Sequence, residues 1–472
     1  SDMEARPIVN VDVFRLILAY LPHRELLMMA LASKFSREEA TQHLLMRPMS
    51  LLRNHKLLTF CQFALTGDLS KLSYLRELTI KLVKEPFSSE DRAMVARVLA
   101  HCVNLRRLGI LWCDMFIMDE PVSGIPEAIS ALPSLAYLTV QMHHDDQQIR
   151  DVLIRMVLHA KASLRGLHLP MFGDGLSRVE VLRDLARVHS HLEDFTLQFS
   201  TFTAPGVTFS AVRNLHLILE KNLPQLRDVY NTFPNVHELT IDYYMHLGET
   251  PPNAARVEDQ RNGSCWPSLD LLCACPLIIR ALGIVCPVRR LSLGFCDYDL
   301  DEEITETVSR LRPSKLTLDL RCGPDWVVPL AHPSLMLHSS RDAGVKHLFV
   351  KKTLTGSRRS PATTSSFMDW ILPLLFTARV ELLHVAISKS FESDSDDPQE
   401  VLESARAVIA SSNGPDIDAE ALAGDLARAC ASIRTVAITI APIGHTVWSV
   451  DRADGEARVV KLDAFEGRRV WD

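Results

Sequence analysis

Three short clusters in the chain carry side chains able to bind a metal ion or take part in catalysis. His143-His144-Asp145-Asp146 offers two imidazoles and two carboxylates in four residues. A helical pattern starts directly after it, so Asp145 with Gln148 three residues on reads as a helix cap, not a ligand set. Asp297-x-Asp299-x-Asp301 has the carboxylate spacing that opens a calcium loop. The loop's sixth-position glycine and twelfth-position glutamate are missing, so the ion reading fails. The 10 cysteines contain no C-x-x-C pair, and only Cys273 and Cys275 lie within three residues of each other. That spacing does not make a zinc knuckle, and free, buried thiols are expected. Phosphate-cradling loops, dinucleotide fingerprints, G-x-S-x-G and protease cysteine signatures are all missing. The expectation is a non-enzymatic protein with no cofactor and no metal.

Composition narrows the class further. The 472 residues are 47% hydrophobic, 23% charged and 7% aromatic, an ordinary globular mix. A net charge of −7 gives no basic excess for nucleic acid. The one acid-free basic run, Lys346, Lys351, Lys352, Arg358 and Arg359, lacks interleaved aromatics and reads as a solvated edge. The first residues lack the apolar core of a signal peptide. The most apolar window, Leu271 to Val288, is broken by Arg280 and two prolines, so no membrane span is expected. Asn262-Gly263-Ser264 reads as a surface turn. These features predict a soluble, intracellular protein, cytoplasmic or nuclear.

The elements that would carry any site emerge from a recurring triplet: apolar, two residues, apolar, one residue, apolar. It appears at Leu75-Leu78-Ile80, Leu105-Leu108-Ile110, Leu135-Leu138-Val140, Leu164-Leu167-Leu169, Leu192-Phe195-Leu197, Val212-Leu215-Leu217 and Val236-Leu239-Ile241. It returns at Val288-Leu291-Leu293, Leu316-Leu318, Val345-Leu348-Val350, Val380-Leu383-Val385 and Ile433-Val436-Ile438, with Trp266-Leu269-Leu271 as a degenerate copy. The middle positions 78, 108, 138, 167 and 195 are 30, 30, 29 and 28 residues apart. The last two apolar residues of each triplet share one face of a short strand. Helical patterns with acidic first turns fill most of the spaces, including Arg92–Cys102 after Ser89-Glu90-Asp91 and the stretch after Asp301-Glu302-Glu303.

One strand and one helix per unit is the plan of a leucine-rich-repeat solenoid. Leu105-x-x-Leu108-x-Ile110-x-x-Cys113 and Val288-x-x-Leu291-x-Leu293-x-x-Cys296 resemble its L-x-x-L-x-L-x-x-[NC] signature, which makes Cys113 and Cys296 structural. The predicted fold is α/β, a horseshoe with a parallel sheet on the concave side and helices on the convex side. It comprises about twelve or thirteen irregular repeats over residues 68–443.

The ends differ. Ile8–Gly67 is a compact apolar stretch, and residues 1–67 are predicted to be a small helical domain with a linker to the repeats. Asn10 can cap a helix whose Val13, Phe14, Ile17, Leu18 and Leu21 make one face, ended by Pro22. A second helix opens at Glu25 and a third is expected over 38–45. So small a unit barely buries its own core, and its aliphatic excess implies a face covered by the repeats or a partner. Residues 353–366 read as an exposed Ser/Thr-rich loop and 390–400 as a solvated acidic linker. Asp454-Gly455 between Thr446–Arg452 and Glu456–Leu462 signals a C-terminal β-hairpin cap over residues 444–472.

The order Asp12-Val13-Phe14-x-x-Ile17-Leu18-x-x-Leu21, then Glu25-Leu26-Leu27 and Ser33-Lys34, resembles an F-box. Arg47-Pro48-Met49-Ser50-Leu51, Leu57-Leu58-Thr59-Phe60-Cys61, Trp266-Pro267-Ser268-Leu269-Asp270 and Pro287-Val288-Arg289-Arg290-Leu291 are similar to fungal F-box proteins with leucine-rich repeats. The family's leading Leu-Pro is replaced by Val9-Asn10, and Phe35 lies near the place of its late tryptophan. The resemblance implies a substrate-recognition subunit of an SCF-type cullin–RING ubiquitin ligase. Val13, Phe14, Ile17, Leu18, Leu21, Leu26, Leu27, Leu31 and Phe35 would contact, or support contact with, a Skp adaptor joined to a cullin scaffold. The alternative is a repeat scaffold unrelated to ubiquitin, capped by the same helices.

A protein target would then lie on the concave face, whose side chains sit between the buried pairs. They read Thr79, Gly109, Thr139, His168, Thr196, His216, Thr240, Asp270, Ser292, Thr317, Phe349, His384 and Ala437. Exposed strand positions favour threonine and serine in any case, so His168, His216, Phe349 and His384 are the target-binding candidates.

Overall fold

The computed structural model describes residues 10–66, 68–81, 87–111, 124–142, 147–169, 179–199, 202, 204–219, 223–243, 266–294, 301–322, 345–355, 375, 379–390, 418–440, 444–452, 456–463 and 466–467. His143 to Asp146, Cys113, Cys296, Asp297, Asp299, the 262–264 turn, most of 353–366 and nearly all of 390–400 lie outside these residues. The chain is an α/β protein that divides into two compact units, Ser1–Glu220 with Asn231–Asn235, and Lys221–Tyr230 with Val236–Asp472.

The first unit opens with helices α1 (Val11–Tyr20), α2 (His23–Ala32) and α3 (Lys34–Met46). Asn10 caps α1 by accepting the Asp12 amide at 2.8 Å. Pro22 sits just before α2, where its fixed φ suits a helix start. The third helix starts at Lys34 and not Glu38, because the Ser33 side chain accepts the Ser36 amide at 3.0 Å and caps it there. Leu18, Leu26 and Ala40 form the core of this trio, with Phe14, Leu21, Met29, Ala30 and Leu44 packed around them. Polar ties fix the angles between the helices. Arg15 donates to both Glu39 carboxylate oxygens (2.7 and 2.8 Å), and Arg47 Nη2 donates to the Leu21 and Ala19 carbonyls at the end of α1 (2.6 and 3.1 Å).

Strand β1 (Met49–Leu51) follows, within the stretch read as linker, and pairs in parallel with β2 (Glu77–Lys81) across α4 (Asn54–Leu65). Strands β3 (Arg107–Leu111), β4 (Tyr137–Gln141), β5 (Gly166–Leu169), β6 (Asp194–Phe199) and β7 (Asn214–Leu219) add in chain order, each parallel to the last. Connecting helices Ser89–His101, Ile125–Ser130, Gln147–Leu158 and Val179–Val188 bury Val95, Leu99, Ile129, Leu153 and Leu185. The first of these opens on a reciprocal capping box between Ser88 and Asp91. The last two apolar residues of every triplet here, from Leu78 and Ile80 to Leu215 and Leu217, are buried. Between β6 and β7 the step is only 20 residues, too short for a helix of normal length plus its turns. Phe202 and Phe209 fill that layer instead, stacking on Phe233 with Phe195 against it. Buried His189 satisfies two backbone groups, accepting the Leu164 amide at Nδ1 and donating from Nε2 to the Val157 carbonyl. Burial lowers its pKa and keeps it neutral.

The second unit repeats the plan with β8 (Glu238–Tyr243), β9 (Leu269–Ala274), β10 (Val288–Gly294), β11 (Lys315–Cys322), β12 (His347–Thr355), β13 (Leu382–Ser390) and β14 (Thr435–Ile440), again parallel and in chain order. One register differs from expectation. The buried pair of β9 is Leu272 and Ala274, three residues beyond Leu269 and Leu271, because Leu272 pairs with Leu239 and Leu291 on its neighbours. Strands β12 and β13 also run on to Thr355 and Ser390, into stretches read as a loop and a linker, because Thr353 pairs with Ser388 and Thr355 with Ser390. At the C-terminus β15 (Gly444–Asp451) pairs antiparallel with β14, and β16 (Arg458–Lys461) with β15, covering the last parallel strand's edge. Arg452 fastens this end to the helix Ala419–Ala429 by donating to the Ala427 and Cys430 carbonyls at 2.7 Å. No helix among the described residues is long and apolar enough to cross a membrane. Cys61, Cys102, Cys273, Cys275, Cys286 and Cys430 are free thiols, and burial pushes those of Cys61 and Cys102 up to about 12.

Candidate functional site

Two kinds of surface stand out: an apolar face on the N-terminal helices and in-register rows on the sheets. The first divides the expected adaptor residues into two groups. Leu18 and Leu26 are 0% exposed and belong to the core, so they support a surface without forming one. Phe14 and Leu21 pack on that core, and Phe14 lies 5.6 Å from Phe35 between ring centroids. Val13, Ile17, Leu27, Leu31 and Phe35 remain exposed, Ile17 at 47% and Leu31 at 74%. The expectation of one apolar face on α1 is therefore corrected: the helix has two. Phe14, Leu18 and Leu21 turn inward, while Val13, Leu16, Ile17 and Tyr20 point to solvent. Leu16, Tyr20 (82% exposed) and Met28 of α2 were not anticipated, although their i, i+3, i+4 spacing from Val13 and Leu31 carried the signal. Val13, Leu16, Ile17 and Tyr20 on α1 and Leu27, Met28 and Leu31 on α2 thus leave large apolar side chains exposed.

In the first unit the sheet face opposite the buried pairs carries its side chains in register. Ser50 pairs with Thr79, Thr79 with Gly109, Gly109 with Thr139, Thr139 with His168, His168 with Thr196 and Thr196 with His216. His168 and His216 meet edge to face at 6.3 Å across Thr196. Burial first, and the neighbouring His216 second, push the His168 pKa down to about 4, so that imidazole is neutral near pH 7.

A second row, two residues earlier, lies on the same face: Glu77, Arg107, Tyr137, Gly166, Asp194 and Asn214, also consecutive partners. The Arg107 guanidinium sits 3.9 Å above the Tyr137 ring centroid and 3.8 Å from the Glu77 carboxylate. Tyr137 lies over Gly166, where a β-carbon would come within 2.2 Å of its Cδ1. Asp194 takes a hydrogen bond from the Asn214 amide. The two rows border a groove of about 420 Å³ that runs from Pro48 and Met49 to Asp194 and Thr196. Glu77, Arg107, Tyr137 and Asp194 were not singled out from the sequence, although they share strand parity with the row that was.

The second unit's row reads Thr240, Cys273, Ser292, Thr317, Phe349, His384 and Ala437. Cys273 takes the place expected of Asp270, as the β9 register dictates; Asp270 lies outside the row, 3.4 Å from His237 Nδ1. Phe349 and His384 stack at 4.3 Å, and His384 Nε2 lies 2.8 Å from Thr439 Oγ1, which is 2.7 Å from His445 Nδ1. Burial first, then His445, pushes His384 down to about 4. The basic run is partly neutralised by Lys351–Asp319 at 2.9 Å and Lys346–Glu381 at 4.0 Å. Among the described residues no group of three His, Cys, Asp or Glu side chains has metal-holding geometry. The four target-binding candidates thus fall into two pairs, one per unit, both set in polar sheet faces.

No protein-family model matches the chain, and no curated protein matches it.

Proposed function

We propose that the chain is a leucine-rich-repeat solenoid with an F-box-like head that serves as the substrate-recognition subunit of an SCF-type cullin–RING ubiquitin ligase. The observation that carries this reading is the outward apolar face of α1 and α2, with Leu16, Ile17, Tyr20, Met28 and Leu31 exposed beside the buried core of Leu18, Leu26 and Ala40. Such a face favours a protein partner, because covering it removes apolar surface from water. In this reading a Skp adaptor covers the head, and the in-register sheet rows hold a target. The mechanism is proximity: target lysines are kept at high effective concentration near the conjugating enzyme, with no covalent work by this chain.

Reconstitution tests it. The full chain, mixed with purified Skp adaptor and cullin, should pull down cullin only when the adaptor is present. Absence of any adaptor-dependent cullin would overturn the ubiquitin reading. It would favour a scaffold whose helices simply cap the first strands.

A further inference from the structure

The groove on the first unit's sheet face has a polarity along its length. Its floor runs through Thr79, Gly109, Thr139, His168 and Thr196, one residue from each of five adjacent strands. At the usual strand spacing that is about 19 Å, the reach of about six extended residues. The floor carries no formal charge. At Gly109 the side-chain layer is missing altogether, which deepens the middle of the trough. The stack of Arg107 on Tyr137, seated over Gly166, forms one wall.

The two ends differ in chemistry. Pro48 and Met49 make the near end apolar. At the wall, Glu77 and Arg107 offset each other. At the far end Asp194 accepts from the neutral amide of Asn214 and, among the described residues, forms no ion pair, which leaves its carboxylate charge open to a ligand. The neighbouring His168 supplies no positive charge to balance it.

We propose that this groove binds an extended segment of a partner polypeptide that places a lysine or arginine on Asp194 and an apolar side chain on Pro48 and Met49, about seven residues apart because β1 lies one strand beyond the floor, with small uncharged residues between. The inference rests on reading the sheet face as the target-binding surface. A cation at Asp194 gains a charge-assisted hydrogen bond, whereas an acidic segment would meet an unopposed carboxylate. Small residues are needed over Gly109 because the trough there is bounded by Thr79, only 3.3 Å from where a β-carbon would stand.

Selection from a phage-displayed library of random dodecapeptides on the full chain tests this. Enriched peptides should share one basic and one apolar residue about six to eight positions apart. A synthetic peptide of the selected sequence should lose about tenfold in affinity when its basic residue is changed to methionine. Asp194→Asn should cause a similar loss, and Gly109→Leu should block binding. The peptide substitution is read on the unaltered chain, so it decides even if a protein variant does not fold. No enrichment, enrichment of acidic peptides, or binding indifferent to the basic residue would overturn the proposal. The selection needs no adaptor, so its failure is separate from failure of the cullin pull-down.

Discussion

Tyr137 and Gly166 are paired across β4 and β5 so closely that the ring occupies the place of the missing side chain, with a β-carbon position 2.2 Å from Cδ1. The glycine is there for the ring, and the ring is what the Arg107 guanidinium rests on. Gly166→Ala should therefore displace Tyr137 and lower stability by about 1–3 kcal/mol, the usual cost of overpacking. In a Tyr137→Ala background the same change should cost much less. Urea unfolding of the four chains of this cycle reads the coupling, and additive effects would contradict the packing argument.

The N-terminal helices should respond to mutation according to which way a side chain points. Leu18→Ala and Leu26→Ala remove fully buried groups and should cost about 2–5 kcal/mol each. Ile17→Asp and Leu31→Asp alter exposed groups and should leave the thermal midpoint nearly unchanged while abolishing adaptor binding. If both pairs unfold the chain alike, the helices are a cap and not a docking face.

Glu39 ties α3 to α1 through Arg15. The hydrogen bond from Arg15 is the main influence on its carboxyl, which is held below the usual value near 4.5 despite partial burial. A depressed folded pKa means that the pair's contribution is fully present above the unfolded value and fades as pH falls through the folded one. Glu39→Gln should flatten that part of the acid profile as pH falls below the usual value near 4.5. Chemical denaturation across this range checks it; an unchanged slope would show that the pair does not couple to folding.

His168 and His384 are both pushed down to about 4, chiefly by burial. Their folded values lie below the unfolded value near 6.5, so the unfolded chain binds protons first. Each therefore opposes folding progressively as pH drops from about 6.5 to 4 and adds nothing to pH dependence above that window. Histidine ring resonances in NMR should show these two still neutral at pH 5.5. Midpoints near 6.5 would mean that the sheet faces are more open than described.

Strand position was the most legible feature of the sequence, because a buried pair flanking one polar residue leaves little freedom of register. Strand β9 failed this rule: Leu269, Leu271 and Leu272 offer two registers, and only pairing with Leu239 and Leu291 selects Leu272. Strand β1 was missed although Met46-x-x-Met49-x-Leu51 fits the triplet, because it is only three residues long and its leader Met46 ends α3 and stays exposed. Helix α1 misled in another way. Apolar on both sides, it gives no sequence cue to which face meets the core, and contact with Leu26 and Ala40 decides it. The Glu77–Arg107–Tyr137 wall could not be read at all. Its members lie 30 residues apart in sequence, and only strand register brings them into one row.

In the proposed function an adaptor docks on the outward face of α1 and α2. Isothermal titration of purified Skp adaptor into the full chain, beside a folded Ile17→Asp/Leu31→Asp variant, tests it most directly. Saturable one-to-one binding by the unaltered chain, lost in the variant, is the predicted result. No binding by the unaltered chain, or equal binding by both, would contradict the claim.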